Sequence, residues 1–138
     1  MELRKNAKTK LLKQVPLFSR CSSRELEEIG RIADEIDFKE GKELAHEGAA
    51  GREFFVIVNG TAEVTRGNKK LRTLGDGDFF GEISLITKLP RTASVTTVSP
   101  LRALVITDRS FRRMLDQSPG IQRKVLEALG ERLDTVAS

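Results

Sequence analysis

A chain of 138 residues, 38% hydrophobic and 32% charged, is long enough to bury one domain core and too mixed in composition for a fibrous or disordered protein. No apolar run reaches membrane-spanning length, no signal-peptide core opens the chain, and a single cysteine, Cys21, excludes an internal disulfide, so a cytoplasmic location is expected. The net charge of +4 resides in residues 1–13, where Arg4, Lys5, Lys8, Lys10 and Lys13 are opposed only by Glu2. The remainder is neutral, which argues against a basic groove for nucleic acid; a short basic arm is a solvated helix face or leader, or a contact for acidic lipid or nucleic acid.

In chain order, residues 8–15 read as a short basic helix stopped by Pro16, leaving Leu17 and Phe18 to pack. Ser22-Ser23-Arg24-Glu25 has capping-box spacing, and Leu26, Ile29, Ile32 and Ile36 follow at near-helical intervals, predicting a helix that ends near Ala33. From 35 to 106 the pattern changes to short apolar runs cut by glycines. Phe54–Val58 and Thr61–Thr65 flank Asn59-Gly60, the strongest short hairpin signal. Arg66-Gly67-Asn68-Lys69 marks a second turn before a strand at about 70–74, and Gly75-Asp76-Gly77-Asp78 a third. Ser94–Thr97 and Arg102–Ile106 read as two more strands, divided by Ser99-Pro100. Thr107 or Asp108 then caps a helix with Phe111, Met114 and Leu115 on one face. Ser118-Pro119 opens another, on which Ile121, Val125, Ala128, Leu129, Arg132 and Leu133 recur at helical spacing, an amphipathic helix whose apolar stripe must rest on something. Short strands closed by glycine turns, with helices kept to the ends, predict an α+β, mainly β fold: a small sandwich or roll.

The segment Phe79–Val95 holds the most chemistry. It places a glycine turn, the carboxylate of Glu82, the start of a short helix and Arg91 within reach of one another. Free backbone N–H groups and a guanidinium make an anion site. A carboxylate beside it either pairs with the arginine or accepts hydrogen bonds from hydroxyl groups of the same ligand. Phosphate and sugar hydroxyls in one pocket point to a nucleotide.

Phe80-Gly81-Glu82-Ile83-Ser84-Leu85, followed at an interval by Pro90-Arg91-Thr92-Ala93-Ser94-Val95, closely resembles the phosphate-binding cassette of cyclic-nucleotide-binding domains. That family includes regulatory subunits of cyclic-AMP-dependent kinase, gated ion channels and bacterial catabolite regulators. The likeness extends upstream through Glu47-Gly48, Gly51 and Phe54–Gly60, and covers roughly residues 11–135. It implies an eight-stranded antiparallel β-roll (jelly-roll) flanked by N-terminal helices and two C-terminal helices. One domain then spans 1–138: helices over 1–34, the roll over 35–106 with its cassette at 79–95, and hinge and lid helices over 107–135.

By the same resemblance, Arg91 holds the cyclic phosphate and Glu82 accepts from the ribose 2′-hydroxyl. Gly81 admits the sugar without a Cβ in the way. Ile83 and Ser84 turn amides toward the phosphate at a helix start, and the Ala93 amide adds another from the far side. Ser84 replaces a usual alanine, a change expected to be tolerated because the backbone amide does the work there. Thr92 stands where many cyclic-AMP binders have alanine, and a hydroxyl there resembles members that respond to cyclic GMP. Serine or threonine also occurs in cyclic-AMP binders, and cyclic AMP is favoured over cyclic GMP. With no Trp or Tyr in the chain, a cap on the base would be aliphatic, with Leu126, Leu129 or Leu133 as candidates. Leu85 and Phe111 match the pair that couples the cassette to the helices after the roll.

Blander roles stand beside these. Glu82 and Arg91 could form a plain salt bridge, Gly48, Gly51, Gly60 and Gly77 read first as turn residues, and the lone His46 reads as a strand-end residue. One histidine cannot supply a cupin-type metal cluster, and no nucleophile–base pair is visible, so neither metal nor cofactor nor enzymatic activity is expected. The implied role is a non-catalytic sensor of cyclic AMP or cyclic GMP that regulates an attached or partner protein. The alternatives are a fragment of a transcription regulator without its DNA-binding part, and a degenerate domain used for protein contacts. DNA binding by this chain alone is not expected, because few residues follow the last helix.

Overall fold

The computed structural model describes residues 3–137, with side chains through Glu131. Local signals set the helices. Helix α1 (Lys5–Lys13) begins earlier than the sequence pattern and ends before Pro16. Lys8 Nζ donates to the Gly30 carbonyl at 3.3 Å, and Lys13 Nζ to the carbonyls of Ser19 and Cys21, each at 3.2 Å. These lysines satisfy carbonyls at the ends of neighbouring elements. A 3-10 turn (Pro16–Phe18) buries Leu17 and Phe18. Helix α2 (Ser23–Arg31) carries the full capping box: Ser22 Oγ accepts from the Glu25 amide at 3.2 Å, and Glu25 Oε1 from the Ser22 amide at 2.8 Å.

Helix α3 spans Asp108–Gln117, and α4, with proline at its first position, Pro119–Ala137. Phe111 packs on Phe18 with ring centroids 5.9 Å apart. Ion pairs fasten α4, Lys124 to Glu25 and Arg20 to Glu127 and Glu131, and the residue before it is held by the Ser118 hydroxyl donating to Glu28 Oε2 at 3.0 Å. The helices up to Ile32 and those from Arg109 onward form one compact unit, and Ala33–Asp108 forms a second.

The second unit is the expected antiparallel roll of eight strands: β1 (Asp34–Phe38), β2 (Glu43–Ala45), β3 (Glu53–Asn59), β4 (Ala62–Arg66), β5 (Lys69–Leu74), β6 (Phe79–Phe80), β7 (Ser94–Thr97) and β8 (Leu101–Thr107). They form two four-stranded sheets, in the orders β1-β8-β3-β6 and β2-β7-β4-β5. Alternate residues of both sheets meet in a core. Phe55 and Ile57 of β3 and Leu101, Ala103 and Val105 of β8 face Ala62 and Val64 of β4 and Val95 of β7.

Asn59-Gly60 is not a hairpin. β3 pairs with β8 and β6, whereas β4 pairs with β5 and β7, so this turn carries the chain from one sheet to the other. Gly60 has φ 113°, and a Cβ there would lie 2.6 Å from the Pro100 carbonyl oxygen and 2.7 Å from Leu101 Cα. The turn is glycine because the β7–β8 connection crosses against it. The tight hairpin is instead β4–β5, closed by Gly67-Asn68. The third turn is held by the Asp78 amide on the Gly75 carbonyl at 3.0 Å and the Gly75 amide on Asp78 Oδ2 at 2.8 Å. It delivers the chain to β6 and the cassette.

Candidate functional site

After β6 the chain turns at Gly81, φ 85°, into a short 3-10 turn (Glu82–Leu85) that packs on β3. Gly81 is required twice over. Its φ lies in the left-handed region, and a Cβ would stand 2.6 Å from Arg91 Nη1 and 2.8 Å from the Glu53 carbonyl oxygen. The space expected to admit a sugar is therefore also space that the arginine needs.

Arg91 is fixed through both backbone and side chain. Its amide donates to the Ala49 carbonyl at 2.8 Å, and its carbonyl accepts from the Gly48 amide at 2.9 Å. The guanidinium donates from Nη1 to Ser84 Oγ at 2.8 Å and from Nη2 to the Glu53 carbonyl at 2.7 Å. Both acceptors are neutral, so the plain salt bridge to Glu82 is not the arrangement adopted. Burial pulls the guanidinium pKa below its ordinary value, with the Glu53 carboxylate acting in the opposite sense. A desolvated cation of this kind gains when an anion reaches it.

Three further contacts tie the segment that follows Arg91 to its surroundings, the last of them by way of Glu47. Arg66 Nε donates to the Thr92 carbonyl at 3.0 Å, the Glu47 amide to Ser94 Oγ at 2.9 Å, and the Gly67 amide to Glu47 Oε1 at 2.8 Å.

A cavity of about 410 Å³ lies here, within the usual range for small-molecule sites. Gly81, Glu82, Ile83, Ser84, Arg91, Thr92 and Ala93 all line it, so every proposed contact residue comes to one place. Glu82 is only 9% exposed, Ser84 is buried, and Ile83 and Thr92 are exposed. Ala45, Val64 and Val95, partners across β2, β4 and β7, supply an apolar wall. The arrangement offers a cation, a buried carboxylate and apolar surface within one cavity, which suits a ligand with an anionic group, hydroxyls and a flat hydrophobic part.

The Ser84 amide does not face the cavity as a spare donor: it bonds the Gly81 carbonyl at 3.0 Å within the 3-10 turn. Leu85 and Phe111 are both fully buried, in different compact units. Leu126 is 62% exposed and Leu129 half-buried, while Leu133 lies outside the described side chains. Sequence reasoning missed three contributors. Gly51 is not a turn glycine of positive φ; a Cβ there would lie 2.3 Å from Ser84 Oγ and 2.9 Å from Arg91 Nε. Arg72 of β5 and Leu89, which is 64% exposed, also line the cavity. The motif Glu47-Gly48…Gly51 was the available signal for the first of these.

Elsewhere, His46 Nδ1 lies 3.0 Å from Glu43 Oε1 on the surface. Burial pushes the Cys21 thiol up to about 11, the opposite of an activated nucleophile. Among the described residues, no three or more His, Cys, Asp or Glu side chains come together as metal ligands, and no helix is long and apolar enough to cross a membrane.

Comparisons with known proteins agree with this geometry. The family model described as cyclic nucleotide-binding domain matches residues 35–118. The chain is similar to a cAMP-dependent protein kinase regulatory subunit of Mycosarcoma maydis, 34% identical over 137 residues, covering 92% of this chain and 26% of that subunit. It is also similar to a cGMP-dependent protein kinase of Plasmodium berghei (strain Anka), 32% identical over 112 residues, covering 80% of this chain and 13% of that kinase. The chain thus spans about a quarter or less of the length of these relatives. Among solved structures, the N-terminal domain of a transcriptional regulator from Streptomyces coelicolor A3(2) superposes with a TM-score of 0.85 at 25% identity, over 91% of this chain and 94% of that one. A cyclic nucleotide-binding-like protein from Brucella abortus gives 0.74 at 25% identity, over 80% and 98%. With cassette, roll and family model in agreement, the chain belongs to the cyclic nucleotide-binding domain family.

Proposed function

We propose that this chain is a non-catalytic module that binds a purine 3′,5′-cyclic monophosphate in the cassette cavity and passes the binding event to an attached or partner protein. In this reading Arg91 takes the exocyclic phosphate oxygens, with amides of Ile83 and Ala93 beside it. Glu82 accepts from the ribose 2′-hydroxyl at the turn of Gly81, and Thr92 stands between phosphate and base. The observation that carries it is the pairing, in one cavity, of a buried carboxylate with an arginine whose side-chain partners are neutral. Residues 107–135 carry the output, with Leu85 and Phe111 as its two ends and a leucine of α4 as the cap on the base. Amide exchange over 107–135 that is the same with and without saturating ligand would contradict that output.

Cyclic AMP is the first reading for the base, supported by the similarity to a cAMP-dependent kinase regulatory subunit. One observation favours cyclic GMP: Arg72 lines the same cavity as Thr92. A guanidinium only donates, and guanine presents two acceptors, O6 and N7, on the edge where adenine offers an amino donor and N7. Calorimetry with both ligands on wild type and Arg91→Ala tests both levels. The expected loss in the variant is about 2–5 kcal/mol, as when one partner of a buried charged hydrogen bond is removed. Equal affinity in wild type and variant would remove Arg91 from the site, and the tighter of the two wild-type ligands assigns the base.

A further inference from the structure

Two features of Ser84 exceed the part of a backbone donor. Its amide is already engaged inside the 3-10 turn, and its hydroxyl, on a residue only 6% exposed, accepts from Arg91 Nη1 at 2.8 Å. Gly51 faces this contact, and a Cβ there would sit 2.3 Å from the hydroxyl oxygen and 2.9 Å from Arg91 Nε. The hydroxyl and the guanidinium can meet because residue 51 has no side chain.

We propose that Ser84 is a positioning residue: with the Glu53 carbonyl, its hydroxyl fixes the plane of the Arg91 guanidinium and so sets the affinity for the anionic part of the ligand. The inference rests on the cyclic-nucleotide reading above. A guanidinium has five N–H donors; with one taken on each terminal nitrogen, three stay available to an anion. Because a hydroxyl and a peptide carbonyl bear no net charge, they orient the fork without cancelling its charge. A carboxylate in either place would orient it equally well and neutralise it. An arginine already held also loses less side-chain freedom when the ligand arrives. An alanine at position 84 would keep the 3-10 turn and its backbone bonds but leave the fork tethered by one atom.

The test uses Ser84→Ala, calorimetry with cyclic AMP and cyclic GMP, and the two phosphorothioate diastereomers of the tighter ligand. Melting of the ligand-free single and double variants of Ser84→Ala and Arg91→Ala accompanies it. Ser84→Ala is expected to weaken the natural ligand about tenfold, the scale of a hydrogen bond to a charged group. The penalty should be unequal for the two diastereomers, shrinking for the one that already places sulfur against Arg91. The ligand-free melting cycle should show that the two substitutions are coupled. Unchanged affinity, or the same penalty for both diastereomers, would overturn the proposal while leaving the binding reading intact. An uncoupled melting cycle would likewise overturn the proposal alone, whereas a wild-type protein that binds none of these ligands would overturn the binding reading, and the proposal with it.

Discussion

In the helical unit Lys124 meets Glu25 and Arg20 meets Glu127 and Glu131, whereas in the roll Arg91 meets a hydroxyl and a peptide carbonyl. Both arrangements hold a long cationic side chain still, but only the first cancels its charge. The helical pairs are complete as they stand, and their contribution is to fasten α4. The Arg91 arrangement is held but not neutralised, and burial has already removed part of its water. A cation treated in this way is suited to a visiting anion, while one matched to a carboxylate is suited to holding structure.

The largest expected effect comes from making the second arrangement resemble the first. Ser84→Asp would set a carboxylate against Arg91 and occupy the anion site from within. Cyclic-nucleotide affinity should fall by several kcal/mol, at least about 3, since a second anion would then face the first. A variant that binds as wild type does would mean that the ligand's phosphate lies elsewhere. Glu82→Gln is the intermediate case. It keeps the shape of a buried side chain and removes its charge, so the preference for ribose over 2′-deoxyribose cyclic nucleotide should shrink by about 1 kcal/mol. An undiminished preference in competition binding would take the 2′-hydroxyl away from Glu82.

The smallest effect sharpens the helical side of the comparison. Burial alone would raise the Glu25 pKa, yet hydrogen bonds from Lys124 and Ser22 hold the carboxyl below its usual range. A depressed folded-state value means stabilisation that is complete above the unfolded value and lost as pH falls through the folded one. Lys124→Met should therefore melt a few degrees lower than wild type at neutral pH, with the two curves converging in acid. A melting difference independent of pH would assign the effect to packing of the lysine stem.

Elements specified by neighbouring residues were legible in the sequence. The capping box at Ser22 and the proline at position 119 each set a helix start within a few residues, and they sit as read. The cassette was legible because its parts lie within one short segment. Asn59-Gly60 misled because the same left-handed turn serves a hairpin or a change of sheet, and the choice rests on the distant β7–β8 connection. Gly51 was read as a turn for a related reason. Its need is space for Ser84 and Arg91, dozens of residues away, and no local φ betrays it. Arg72 carries no local signal of a site, and only the closing of the roll brings it to the cavity.

The lysines of α1 that bond carbonyl groups bear on how the chain would meet a polyanion. Of the five cations near the N-terminus, Lys8 and Lys13 have their ammonium groups turned to protein oxygen, leaving Arg4, Lys5 and Lys10 exposed. Contact through that arm would displace counterions from about three phosphates, giving a slope of log K against log salt of roughly −2 to −3. Such attachment would weaken about tenfold over a two- to threefold rise in ionic strength, a shallower dependence than five free cations would give.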